Sequence, residues 1–215
     1  MTTLSYRGDV MPKRTFFNLK EDKHKRIIDS AMDEFSNKTY EQVNLSEIIK
    51  NAKIPRGSFY QYFEDKEDLY MYLIELGRNA KMEYLKETLQ NKDEIPFMTL
   101  VRKLFEQGIM FALNHENYVK LFDLLLKNKN YIYDKIIAEN IEIAIKIYGD
   151  LIEKDKQKGL IRQEINTQVF AKMIVELTTN ITVDDLDLDN TDLSYQHMKE
   201  KINQLLLILE KGVIK

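Results

Sequence analysis

The chain has 215 residues, with 32 Lys and Arg against 35 Asp and Glu, a net charge of −3, and no cysteine. That length holds one sizeable core or two small ones; the charge balance excludes a polycation, and the missing thiols exclude a disulfide framework or a thiolate metal site. No apolar run approaches the roughly 20 residues a membrane helix needs, and the first residues lack the continuous apolar stretch of a signal peptide, so the expectation is a cytoplasmic protein with no membrane contact.

Only seven glycines and three prolines occur. With abundant Lys, Glu, Leu and Ile, this composition predicts an all-α chain. Residues 1–18 show no helical period and read as a flexible basic arm. Within residues 1–26, Arg7, Lys13, Arg14, Lys20, Lys23, Lys25 and Arg26 outnumber Asp9, Glu21 and Asp22, a local net of +4 that leaves −7 for the rest. A basic end on an acidic body fits a protein that touches phosphate with one part only. A first helix is predicted from Leu19 or Lys20 to Asn37, with Ile27, Ile28, Ala31, Met32 and Phe35 as its apolar stripe.

Asn44 to Phe63, NLSEIIKNAKIPRGSFYQYF, holds two short helical patterns joined by a tight turn. Asn44 is a good N-cap, and Glu47 stands where a carboxylate can return a bond to the cap's backbone. Leu45, Ile48, Ile49 and Ala52 recur at helical spacing. Lys53-Ile54-Pro55 ends the pattern, because the residue before proline is driven out of the helical region and proline suits a first turn. At 100° per residue, Phe59 and Phe63 share one side of the second helix, flanked by Arg56 and Tyr62. Gly57, Ser58, Tyr60 and Gln61 fill the opposite arc. Glycine allows close backbone approach, Ser and Gln can bond base edges, and Tyr and Arg can reach bases or phosphates. The spacing is that of a helix-turn-helix, though it also fits an ordinary two-helix corner.

From Val43 to Lys66 the residue order resembles the DNA-binding domain of the TetR (tetracycline repressor) family of bacterial transcriptional regulators. The shared run is G-[ST]-[LFI]-Y-x-[HY]-F-x-x-K, filled here by Gly57, Ser58, Phe59, Tyr60, Tyr62, Phe63 and Lys66. The resemblance covers about the first third of the chain; the rest agrees in length and helical character. Asn44 stands where the family most often has threonine, Lys53 where it often has glycine, and Pro55 where it usually has a serine cap. The resemblance implies a three-helix DNA-binding domain at 19–65, followed by a helical-bundle effector-binding and dimerisation domain at 66–215. It implies a double-stranded DNA operator as partner, with Arg56, Ser58, Tyr60 and Gln61 at the bases, Gly57 allowing approach, and Asn44, Ser46, Tyr62 and Lys66 at the backbone.

A long helix follows from Lys66 to about Gln90, its acidic start suiting the helix dipole; it joins the two domains and is the expected transmission element. Further helices are predicted at 95–116, 117–129, 131–158, 167–183 and 192–213. Gly159 stops the third of these five. In the family the body holds a small-molecule effector, here unidentified, and Phe105, Ile109, Phe122, Tyr148 and Met173 are candidate pocket walls or plain core. Leu205-Leu206-Leu207-Ile208-Leu209 points all around its helix, so one side needs a partner. Phe170, Ile174, Leu177, Leu205, Leu206 and Leu209 are therefore the expected interface of a homodimer.

The run Asp184 to Asp192 imitates the opening of a calcium loop, but Asn190 replaces the turn glycine and Gln196 the bidentate glutamate. His24, His115 and His197 lack zinc-ligand spacing. No metal, cofactor or catalytic motif is expected. The reading is a repressor that binds a near-palindromic operator as a dimer and is released by an effector. Its competitors are an activator or ligand-independent DNA-binding factor, a small-molecule module with a vestigial head, and a structural helical dimer.

Overall fold

The computed structural model describes residues 5–6, 9–10, 12–128, 131–134, 136, 139–180 and 191–213. Among the described residues it is all-α apart from one two-residue antiparallel pair, β1 (Ser5–Tyr6) with β2 (Asp9–Val10). The chain divides into two compact units, residues 1–80 with 120–128, and residues 81–119 with 129–215. The sequence places its boundary at 65/66, at the start of a helix. The compact units instead divide inside that helix, α5 (Lys66–Gln90), whose first turns bury Leu69, Tyr70, Leu73 and Ile74.

In the first unit, α1 (Arg14–Phe17), α2 (Glu21–Asn37), α3 (Leu45–Asn51) and α4 (Arg56–Tyr62) enclose an aromatic core. Phe16, Phe35, Phe59 and Phe63 are fully buried, with Ile27, Ala31 and Ile48 filling between them. Over residues 12–18 this corrects the reading of a flexible basic arm. Phe16 lies 4.8 Å from Phe63 and 5.5 Å from Tyr72, ring centre to ring centre, so a single aromatic side chain fastens the segment before α2 into the core. A helix of four residues is too short to show a period, which is why the pattern concealed it.

The second unit is built on α6 (Phe97–Asn114), α9 (Glu139–Gln157), α10 (Thr167–Asn180) and α11 (Thr191–Val213). Alpha-helix 9 packs on α10, and α6 on both α9 and α11. Phe97, Val101, Ile152, Phe170, Ile174, Ile202 and Leu206 lie at the centre of its core. The buried Asp155 carboxylate accepts the Phe97 backbone N–H at 2.6 Å, capping α6 where Pro96 offers no side-chain acceptor. Within the predicted helix 131–158 the structure describes α8 (Tyr131–Tyr133) and α9. Alpha-helix 7 (Glu116–Asn128) divides between the units, with residues 120–128 in the first.

Three residues expected at a dimer interface fill the protomer's own core instead: Phe170, Ile174 and Leu206 are buried. Leu177, Leu205 and Leu209 are partly covered by the same core. The neighbouring helices fix the rotation of α10 and α11, and they leave Val169, Leu207 and Ile208 facing out, Val169 and Ile208 being 65% and 67% exposed. Of the five candidate pocket residues, Phe105, Ile109, Tyr148 and Met173 join this core cluster. Phe122 belongs to the first unit. The acidic run 184–190 lies outside the described residues, and no cluster of metal ligands occurs among those described.

Candidate nucleic-acid interface

Alpha-helix 3 begins at Asn44, whose side-chain oxygen accepts the Ser46 N–H at 2.9 Å. The reciprocal bond expected of Glu47 is replaced by an ion pair with Lys50 at 3.4 Å. The helix ends in a Schellman turn: the Lys53 N–H donates to the Lys50 carbonyl at 3.0 Å and the Ile54 N–H to the Ile49 carbonyl at 3.2 Å. Lys53 takes a φ of 54°, the left-handed conformation that glycine enters without strain. That explains why a glycine suits this place, and it leaves an exposed lysine in the turn.

Pro55 caps α4 through its backbone only, accepting the Ser58 N–H at 2.9 Å. The helix turns Phe59, Tyr62 and the following Phe63 inward, and leaves Arg56, Gly57, Tyr60 and Gln61 exposed, with Ser58 half-buried beside them. A Cβ added at Gly57 would meet nothing within 4 Å, so the chain itself does not require a glycine there. Asn44 and Ser46 are exposed at the start of α3.

Two candidates are corrected. Tyr62 is only 5% exposed; its ring packs 6.0 Å from Phe16, with the Lys23 ammonium 5.4 Å from its centre. Lys66 turns inward, donating to the backbone carbonyls of Tyr40 at 2.7 Å and Val43 at 3.3 Å, 4.4 Å above the Tyr40 ring centre. These bonds account for a cation in the first turn of α5, where the helix dipole disfavours one. They tie the loop before α3 to α5. Beside it, Asp65 accepts the Asp68 N–H at 2.9 Å and Asp68 accepts the Glu64 N–H at 2.8 Å. Burial pushes the Asp68 carboxyl up from its ordinary value, while the Glu64 N–H opposes the shift.

Sequence reasoning missed the clamp on α4. The last carbonyls of a helix lack intrahelical partners. Here the Lys13 N–H donates to Tyr62 O at 2.9 Å, the Lys13 ammonium to Tyr60 O at 2.9 Å, and the Thr15 hydroxyl to Gln61 O. Lys13 also pairs with Glu64 at 2.6 Å. The basic residues before α2 were a signal, but one that pointed to phosphate rather than to carbonyl groups 46 to 49 positions away.

The geometry is a helix-turn-helix whose second helix is held from behind and presents a small, polar, phosphate-compatible face. The family model described as bacterial regulatory proteins of the tetR family matches residues 27–73. The fatty acid metabolism regulator protein of Bacillus subtilis is 24% identical over 200 residues, covering 90% of this chain and 97% of that protein. The biofilm operon negative transcriptional regulator IcaR of Staphylococcus epidermidis is 29% identical over 129 residues, 60% of this chain and 66% of its own. A TetR family transcriptional regulator from Chloroflexus aurantiacus superposes with a TM-score of 0.76 at 27% identity, covering 95% of this chain and 99% of that one. No helix among the described residues is long and apolar enough to cross a membrane. Residues 27–73 thus carry the DNA-binding domain of the TetR family, and over nearly its whole length the chain is similar to TetR family transcriptional regulators.

Proposed function

We propose that the protein is a ligand-responsive repressor that binds a near-palindromic operator as a homodimer and leaves it when a small-molecule effector occupies the second unit. The observation that carries the reading is the outward face of α4, where Arg56, Gly57, Ser58, Tyr60 and Gln61 stand together on a helix clamped at its C-terminal end. Arg56, Ser58, Tyr60 and Gln61 address base edges; Asn44, Ser46 and the exposed Lys53 address phosphates. The name of the staphylococcal relative, a negative regulator, supports repression, and that of the Bacillus relative supports an apolar effector. Val169, Leu207 and Ile208 supply the apolar face that a second copy covers. A two-fold dimer sets its recognition helices roughly 34–36 Å apart, one DNA turn.

The test is selection of bound fragments from random DNA by the purified protein at near-physiological salt. A palindromic motif is expected, with retention lost in Tyr60→Ala while the dimer persists. Binding should weaken steeply with salt. A folded dimer that enriches no motif sinks the proposal.

A further inference from the structure

Along the pairing of α5 with α6 in the second unit, two polar groups lack a partner among the described residues. Gln107 of α6 donates from Nε2 to the Thr88 hydroxyl of α5 at 2.8 Å, but its Oε1 is buried with no hydrogen-bond partner among the described residues. Seven residues before Thr88, a step that returns to within about 20° of the same helix face and about 10 Å along the axis, stands Lys81. It is partly buried and has no ion pair or hydrogen bond among the described residues. Burial holds its ammonium below the usual lysine range, and no carboxylate opposes the shift.

Between these two groups the stripe is aromatic. The Tyr84 ring centre lies 5.7 Å from Phe111 and 5.6 Å from His115, and Phe111 stacks on His115 at 4.9 Å. Thr88 meets Gln107, and one turn earlier on α5 Tyr84 meets Phe111 and His115; helical periodicity sets Lys81 about one further turn along the same face. A desolvated cation, a packed aromatic cluster and an orphaned acceptor thus share the side of α5 that meets α6. Each is costly or idle in the free protein and useful to one kind of guest.

We propose that this stripe binds a medium-chain organic carboxylate: the Lys81 ammonium takes the carboxylate, Tyr84, Phe111 and His115 cover the apolar body, and a hydroxyl or amide N–H at the far end donates to Gln107 Oε1. One ammonium matches the single charge of a carboxylate better than the nearly two charges of a phosphate monoester. The inference rests on the second unit being the effector-binding one.

Calorimetric titration of the full-length protein, without DNA, tests it with four probes: ω-hydroxydecanoate, decanoate, decyl phosphate and the neutral decanediol. The hydroxy acid is expected to bind most tightly. Lys81→Met should weaken it by about tenfold or more and leave decanediol unchanged, while its melting temperature stays level or rises, since a thioether replaces a desolvated ammonium. Gln107→Leu should erase the advantage of ω-hydroxydecanoate over decanoate. Carboxylates that bind the wild type no better than decanediol, or undiminished affinity in Lys81→Met, overturn the site; decyl phosphate binding more tightly than decanoate overturns the carboxylate assignment. Because no DNA is present, failure here leaves operator binding standing. Carboxylate binding that does not release a selected operator fragment keeps the site and removes its regulatory role.

Discussion

Helices α4 and α9 are held by contrasting means. Alpha-helix 4 has seven residues, too few to persist alone in water, and its last carbonyls are filled by Lys13 and Thr15 from outside the helix. Alpha-helix 9 has nineteen residues and closes its own end: Gly159, at φ 71°, donates to Lys156 O at 2.9 Å, and the Leu160 N–H donates to Asp155 O at 2.9 Å. The same Schellman geometry ends α3, but with Lys53 in place of glycine. A helix that must keep one whole side bare can be gripped only at its ends and its back, whereas a long helix packed along one side on α6 and α10 needs only a clean stop.

The contrast can be broken most severely at Phe16. Phe16→Ala should cost about 3–5 kcal/mol in the denaturant unfolding of the first unit and abolish operator retention. An α4 that kept its amide-exchange protection in this variant would show that it stands without the clamp. Lys66→Met should cost about 1.5–3 kcal/mol by removing charged hydrogen bonds to two carbonyls. The salt slope of operator binding should stay the same; a slope smaller by about one would return Lys66 to a phosphate.

The two Schellman turns give a paired test of smaller size. Gly159→Ala should destabilise by about 1 kcal/mol, while Lys53→Gly should stabilise by about 0.5–1 kcal/mol and weaken operator binding at low salt. If both changes destabilise, Lys53 has a structural role beyond its backbone.

The smallest effect is a pH dependence confined to the first unit. His24 packs 4.4 Å from Phe16, and burial lowers its pKa below the ordinary 6.5. The unfolded chain therefore takes up the proton more readily, so the stability is whole above pH 6.5 and is lost as pH falls toward the folded-state pKa. Melting temperatures at about pH 7.5 and 5.5 should differ less in His24→Leu than in the wild type. An unchanged difference would assign the pH response to other groups.

Much of this architecture was legible because it is local. Asn44, the Ile48 and Ile49 stripe, Pro55 and the spacing of Phe59 to Phe63 lie within twenty residues, and helical periodicity acts over that range. What escaped was set by distant neighbours. Lys66 could be recognised as misplaced for a helix dipole, but not as bonded to Tyr40 and Val43. Tyr62 stood at the edge of a helical wheel, and Phe16 decided which way it turned. In Leu205 to Leu209 the sequence promised an exposed side; only the packing of α6 against α11 determined that Ile208, rather than Leu206, would occupy it.

The burial of Phe16 also constrains the order of events during synthesis. Its ring is among the first parts of the first unit to be made, yet two of its partners, Phe63 and Tyr72, follow 47 and 56 residues later. Until Glu64 has left the ribosome α4 lacks its clamp, and until Tyr72 follows the nascent chain carries an incompletely covered aromatic side chain; contacts of such sequence separation close late. The recognition surface is therefore completed only after the whole of the chain's first third has emerged.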